Sequence, residues 1–207
     1  MASPTPPFRR LSLFTDTGDR KYLNRSERAR FHSALSALND PIDRSFCEML
    51  YWTGCRPSEA LGLTAQHIDL DENMVIIRSL KKRGSQKGRH YRPIPLPQDY
   101  VERLDTLHGI RQQQLEPAER TPLWPFRRTT AWRRIKTVME AAGINGTKAS
   151  GRGLRHAYGV HAALSDVPET RIKKWLGHES LDTTAIYLDM AASEDRMLAA
   201  RMWEATP

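Results

Sequence analysis

Residues 74–96 read Met-Val-Ile-Ile-Arg-Ser-Leu-Lys-Lys-Arg-Gly-Ser-Gln-Lys-Gly-Arg-His-Tyr-Arg-Pro-Ile-Pro-Leu. The stretch opens on a β-branched run, closes on a second extended run, and carries Gly84 and Gly88 between them. This pattern predicts a β-hairpin with a long basic loop. Pro93 and Pro95 have no backbone N–H to give to a ladder, so the second strand belongs at a sheet edge. An upstream strand around Leu70 is expected to complete a small sheet.

On both sides of the hairpin the apolar period is helical. Asn24 or Ser26 caps a predicted helix running to Leu38, with Phe31, Leu35 and Leu38 on one face. Asn39-Asp40-Pro41 breaks it, and a second helix follows from Ile42 to Trp52, with Phe46, Met49 and Leu50 at helical spacing. Thr53-Gly54 ends that helix, and Pro57 suits the first turn of a third over Ser58–Leu63. Beyond the hairpin, helices are predicted over Asp99–Gln114, Thr129–Ala142, Leu154–Leu164, Pro168–Trp175, Asp182–Met190 and Ser193–Trp203. In the Thr129–Ala142 helix the expected apolar face is Trp132, Ile135, Val138 and Met139. The fold class is mostly α with a small antiparallel β-sheet (α+β). The domain plan is a flexible N-terminal arm over 1–21, one domain over 22–190 and a C-terminal helix over 191–207.

A length of 207 residues suits one such domain. No apolar run is long enough to cross a membrane as a helix, and the first residues lack the apolar core of a signal peptide. A cytoplasmic location is therefore expected, with no membrane partner. Cys47 and Cys55 stand eight residues apart with no metal-site or disulfide spacing, which reads as two reduced thiols. The net charge of +8 is compatible with nucleic acid, an anionic membrane surface or an acidic partner. Its distribution says more. Arg78, Lys81, Lys82, Arg83, Lys87, Arg89 and Arg92 form one acid-free cluster, and Arg127, Arg128, Arg133, Arg134 and Lys136 a second. A charge run is ordinarily a solvated face, but two separate clusters without a single acid favour a polyanionic partner.

The residues suited to chemistry come as an ordered set. Thr53-Gly54-Cys55-Arg56-Pro57-Ser58-Glu59 places Arg56 at a helix start, where backbone N–H groups also favour an anion, with Glu59 one turn on to fix its guanidinium. Gly153-Leu154-Arg155-His156 is the second element. Leu176-Gly177-His178 is the third, and Tyr187 follows nine residues after His178. Singly, each has a plain structural reading: a surface Arg–Glu pair, a capping or core histidine, a half-buried packing tyrosine. Their order along one chain makes those readings less attractive.

In these motifs the sequence resembles the tyrosine recombinase or phage integrase family, over roughly Tyr22–Leu188. The resemblance implies one active site built from Arg56, Lys81, Arg152, Arg155, His178 and Tyr187, supported by Glu59 and His156, with Lys82 as the alternative hairpin lysine. One position departs from the family pattern. Three residues before the second arginine the family usually carries a histidine, and here stands Arg152, which cannot accept a proton near neutral pH.

The implied reaction is attack of the Tyr187 hydroxyl on a DNA phosphodiester, giving a 3′-phosphotyrosine and a free 5′-hydroxyl. Arg56 and Arg155 suit the charge that builds on the phosphate oxygens, because guanidinium forks match them and stay charged. His178 is expected to donate a further hydrogen bond, and Lys81 to protonate the leaving oxygen. A strongly positive pocket is expected to lower the phenol's pKa. No cofactor and no metal is called for, and the acids Asp69, Asp71 and Glu72 read as a turn. The two basic clusters would contact double-stranded DNA, with base reading assigned to the Trp132–Lys136 helix.

The short sequence before the first motif resembles single-domain members of the family, for which a homo-oligomer on DNA (a tetramer in the synapse) and an accessory DNA-binding protein are expected. The last helix would dock on a neighbouring subunit or pack on its own core. An active recombinase or invertase, a non-cleaving DNA-binding regulator and a type IB topoisomerase-like relaxing enzyme all remain compatible with the sequence.

Overall fold

The structure, a computed structural model, describes residues 12–79, 90–115, 121–178, 182–188 and 199–203. Helix α1 (Arg25–Ser33) starts at Asn24. The Asn24 side chain accepts the Glu27 N–H at 2.8 Å while the Glu27 carboxylate accepts the Asn24 N–H at 2.9 Å, a reciprocal cap. The helix expected to reach Leu38 instead tightens into a 3₁₀ turn over Ala34–Ala37. Helix α2 (Pro41–Thr53) begins at Asp40, whose side chain accepts the Ile42 N–H, and ends at Gly54 in the left-handed conformation. The short helix α3 (Pro57–Ala60) follows directly.

Strands β1 (Ile68–Asp69), β2 (Met74–Arg78) and β3 (Tyr91–Pro95) form one antiparallel sheet in the order β1-β2-β3. β3 is an edge strand, as its prolines require. The register pairs Val75 with Ile94 and Ile77 with Arg92, and all four side chains are buried on one face. Between β1 and β2, the Asp69 carboxylate accepts the N–H groups of Asp71 and Glu72, so this acidic run is a side-chain-closed turn. The hairpin loop, with Lys81, Lys82, Arg83, Lys87 and Arg89, lies outside the described residues.

The single helix expected over 99–114 is two, α4 (Gln98–His108) and α5 (Ile110–Leu115), divided where Gly109 turns left-handed. Helix α6 (Arg128–Ala141) buries Ala131, Ile135, Val138 and Met139. Trp132, expected on that face, is 58% exposed. Helix α7 (Gly151–Leu164) starts three residues before its predicted start, because the Ser150 hydroxyl accepts the Gly153 N–H and caps it. Arg152 therefore sits in the first turn of a helix rather than in a loop. Helices α8 (Glu169–Leu176) and α9 (Asp182–Leu188) complete the domain. Of the predicted last helix, residues 199–203 are described and are helical, with Met202 and Trp203 exposed.

The larger core joins α1, α2, the sheet, α4 and α6 through Phe31, Phe46, Met49, Ile77, Leu104 and Trp124 among others. Cys47 and Cys55 are buried free thiols within it. A smaller second core brings together Leu13, Tyr22, Tyr158, Ile172, Leu176 and Tyr187. Its floor includes residues expected to belong to a flexible arm. Residues 12–21 instead fold back in a tight turn, where the Lys21 N–H donates to the Leu13 carbonyl and Leu13 is buried. Arg20 then pairs with Glu27 at 2.8 Å. Among the described residues no helix is long and apolar enough to cross a membrane.

Candidate active site

The site lies where the two cores meet, and its centre is Arg155. Helix α7 presents this side chain inward at 7% exposure. Its guanidinium donates to the Gly54 carbonyl at the end of α2 (3.0 Å) and to the Leu176 carbonyl at the end of α8 (2.5 Å). A helix end leaves carbonyls without intrahelical partners, so one arginine satisfies two of them. Two of its five N–H donors are used in this way, and three remain for an anion. Burial and then the nearby Arg56 hold the Arg155 pKa down to about 10, and Glu59 works against them.

Arg56 stands at the start of α3, as the sequence implies. Glu59 holds it twice, accepting from its guanidinium at 2.9 Å and from its backbone N–H at 2.9 Å. The same carboxylate takes a second arginine. Arg92 donates to it at 2.6 Å, to the Ser79 hydroxyl at 2.9 Å and to the Trp175 carbonyl at 2.8 Å. This corrects the expectation that Arg92 faces DNA. It is 4% exposed and locks the sheet to α3 and α8. The signal was available in the strand alternation, since Arg92 and Ile94 share the inward face of β3. Gly177 makes the junction possible. Its left-handed φ of 64° ends α8, and a Cβ there would stand 3.2 Å from the Arg92 guanidinium.

His178 follows that turn. Its ring stacks on Tyr187, with centroids 5.9 Å apart and planes 22° apart, and its Nδ1 lies 3.0 Å from the Thr184 hydroxyl. With the Thr184 hydroxyl as donor to Nδ1, the ring would carry its proton on Nε2 and could offer it to an oxyanion. Burial, Arg155 and Arg56 hold the His178 pKa down to about 3, so the ring is neutral. Thr184 was not singled out from the sequence, although it lies three residues before Tyr187 and therefore one turn of α9 away.

Tyr187 is buried in the second core at 1% exposure. Its ring lies on Gly159 of α7, where an added Cβ would come 2.7 Å from ring carbons. Its hydroxyl is 3.0 Å from His156 Nδ1. Arg152, one turn before His156 on α7, donates from Nε to His156 Nε2 at 3.2 Å. The positive surroundings do not leave the phenol acidic. Burial pushes its pKa up to about 12, against the pull of Arg155, Arg152 and Arg56. The expectation of a lowered phenol pKa fails for this covered state because desolvation outweighs three arginines.

These elements thus bring Arg56, Glu59, Arg152, Arg155, His156, His178 and Tyr187 together from α3, α7, α8 and α9. A profile described as the phage integrase family matches residues 21–194. The chain belongs to the phage integrase family.

Other family members agree in sequence and in shape. Tyrosine recombinase XerD of Pseudomonas aeruginosa is 32% identical over 180 residues, covering 81% of this chain and 57% of the relative. The XerD of Yersinia pestis is 32% identical over 165 residues, covering 75% and 52%. The chain spans about half the length of these curated relatives. In fold it resembles the XerH site-specific recombinase bound to palindromic difH substrate, with a TM-score of 0.72, 21% identity and coverage of 88% of this chain and 53% of that one. It also resembles the catalytic domain of bacteriophage HP1 integrase, with a TM-score of 0.60, 18% identity and coverage of 86% and 93%. The family's mostly helical architecture with a small sheet is the one observed.

The remaining predicted residues fall into two groups. Lys81 and its neighbours in the hairpin loop lie outside the described residues. Arg78, Arg127, Arg128 and Arg133 are exposed, while Arg134 pairs with Asp43 on α2 and Lys136 is half-buried. Among the described residues no group of three His, Cys, Asp or Glu side chains is placed to hold a metal ion.

Proposed function

We propose that this chain is the catalytic domain of a site-specific DNA recombinase of the integrase or invertase type. It cuts and rejoins double-stranded DNA through a covalent 3′-phosphotyrosine at Tyr187. The observation that carries the reading is the convergence of Arg56, Arg155 and His178 on the side of Tyr187, from segments spread over residues 56–187. The three offer charge and donors that do not depend on protonation near neutral pH, which is what a phosphodiester transition state requires.

In the forward step the Tyr187 oxygen forms a bond to phosphorus and the bond from phosphorus to the 5′-oxygen breaks. The phenol proton leaves, and the 5′-oxygen gains a proton, a role assigned to Lys81. Rejoining reverses each event with a 5′-hydroxyl as the attacking group. Because Tyr187 is covered here, DNA binding must give the phosphate access to its oxygen. Arg127, Arg128 and Arg133 beside the exposed Trp132 form the described part of the DNA-facing surface. The exposed Met202 and Trp203 suit docking on a second copy of the chain when several assemble on DNA.

A nicked suicide substrate tests the proposal. The protein should form a covalent adduct that Tyr187→Phe abolishes. No adduct, with DNA binding intact, would instead make the chain a non-cleaving regulator. Relaxation without exchange between two sites would make it a topoisomerase-like enzyme.

A further inference from the structure

The place where the family usually carries a histidine holds Arg152, so the nucleophile needs another partner. The geometry points to His156 as a catalytic hydrogen-bond donor to the Tyr187 oxygen, set in that role by Arg152. The inference rests on Tyr187 being the nucleophile. It follows from a tautomer argument. Arg152 Nε–H can only donate, and it is 3.2 Å from His156 Nε2, so Nε2 is an acceptor and bears no proton. A neutral imidazole then carries its single proton on Nδ1. That atom lies 3.0 Å from Tyr187 Oη, so the ring donates to the phenol oxygen. Burial, Arg152, Arg155 and Lys21 keep this ring neutral, with its pKa near 4.

The consequence separates His156 from a general base. While Arg152 occupies Nε2, the ring has no free lone pair for the phenol's proton, which must leave to a phosphate oxygen or to water as the oxygen–phosphorus bond forms. His156 gains and loses nothing. Its bond to the phenol oxygen strengthens as that oxygen becomes negative, because hydrogen bonds to an ionised acceptor are the stronger ones. In the reverse direction the same bond stabilises Tyr187 as leaving group. His156 therefore serves cleavage and rejoining alike, and its loss should slow both by a similar factor, about 10²-fold by analogy with other donors to a developing oxyanion.

Two measurements test this. Nitrogen NMR of the intact protein with labelled histidines should show His156 protonated at Nδ1 and bare at Nε2, and Arg152→Met should erase that preference. A ring protonated at Nε2 in the parent protein overturns the inference without any variant. Adduct formation on the nicked substrate gives the second test. His156→Asn sets an amide near the Nδ1 position, whereas His156→Gln sets one near Nε2. The asparagine variant should retain at least tenfold more cleavage rate than the glutamine variant. Equal rates for the two would mean that the ring only packs, and the inference falls. Tyr187→Phe separates the two levels of the argument. If it still forms adduct, the proposed function fails. If it does not, and the His156 variants cleave like the parent, only the role of His156 fails.

Discussion

Removing the Glu59 carboxylate should cost far more than removing an ordinary ion pair. Its side chain is fully buried and accepts four hydrogen bonds: from the Arg56 backbone, from the Arg56 guanidinium, and twice from Arg92, at 2.6 and 3.4 Å. Arg56 is part-exposed, and water can take over for its lost partner. Arg92 is 4% exposed and cannot be rehydrated without parting β3 from α8. Glu59→Ala thus leaves a buried guanidinium uncompensated beside a second one, Arg155. A half-broken buried pair of this kind costs about 3–5 kcal/mol. Against a typical domain stability of about 5–15 kcal/mol, the loss is a large fraction of the whole. In urea unfolding with a slope of about 2 kcal/mol/M, the midpoint should fall by roughly 1.5–2.5 M.

The double variant Glu59→Gln with Arg92→Met removes both charges and keeps similar volumes. It should be more stable than Glu59→Ala alone, because the Arg92 guanidinium is no longer left buried without its counter-ion. A midpoint shift under about 0.5 M for Glu59→Ala, or a double variant no better than the single one, would refute the claim that Arg92 is a buried structural charge.

Three further outcomes follow from the same contacts. Gly159→Ala should drive a methyl group into the Tyr187 ring at 2.7 Å. Its unfolding midpoint should fall by an amount corresponding to about 1–3 kcal/mol, and adduct formation should drop by about 10²-fold if Tyr187, now displaced, is the nucleophile proposed above. Stability should fall on acidification in two stages. His156 and His178 have folded pKa values lowered to about 4 and about 3, so the unfolded chain binds more protons as pH falls below about 6.5 and stability is lost from there downward. Glu27, where hydrogen bonds from Arg20 and Lys148 overcome burial and bring its pKa down to about 2, adds a further loss below about pH 4.5, and Glu27→Gln should flatten that second stage of a urea-midpoint profile. Finally, Arg128→Ala should reduce the salt dependence of DNA binding by about one unit of slope, measured by fluorescence anisotropy, whereas Arg92→Ala should leave the slope unchanged.

The fold was legible in the sequence wherever a local signal coincided with a tertiary one. The prolines of β3 marked an edge strand and the strand is at the edge; Asn24, Asp40 and Gly54 mark helix ends that packing also enforces. The misreadings came where tertiary contacts decide. Nothing local shows that residues 12–21 fold back, because the turn is held by Leu13 entering a core built from α7, α8 and α9. Helix α7 looked like a loop at its start because Gly151 and Gly153 are poor helix formers. The Ser150 cap and the close approach of Gly153 to the Lys148 backbone override that propensity. Trp132 was placed inward by period alone, yet the same stripe already has Ala131 and Ile135 to fill the space.

In the site the limit is different in kind. Residue types and order announced the arginines, His178 and Tyr187, but charge alone does not say which arginines face outward. Arg92 and Arg155 turn inward because helix ends leave carbonyls at Gly54, Trp175 and Leu176 that need donors, and a buried guanidinium supplies several at once. His156 shows the same logic beside Tyr187. The family resemblance implies only a supporting place for it; its particular importance comes from Arg152 one turn behind it, which removes one of its two nitrogens from use and aims the other at Tyr187. An arginine at position 152 is then not a lost base but the residue that decides which way its neighbour's proton points. A recombinase with this pair should depend on its surroundings to take the phenol proton, and an arginine-to-histidine change at 152 should not restore a base without also freeing His156 to change tautomer.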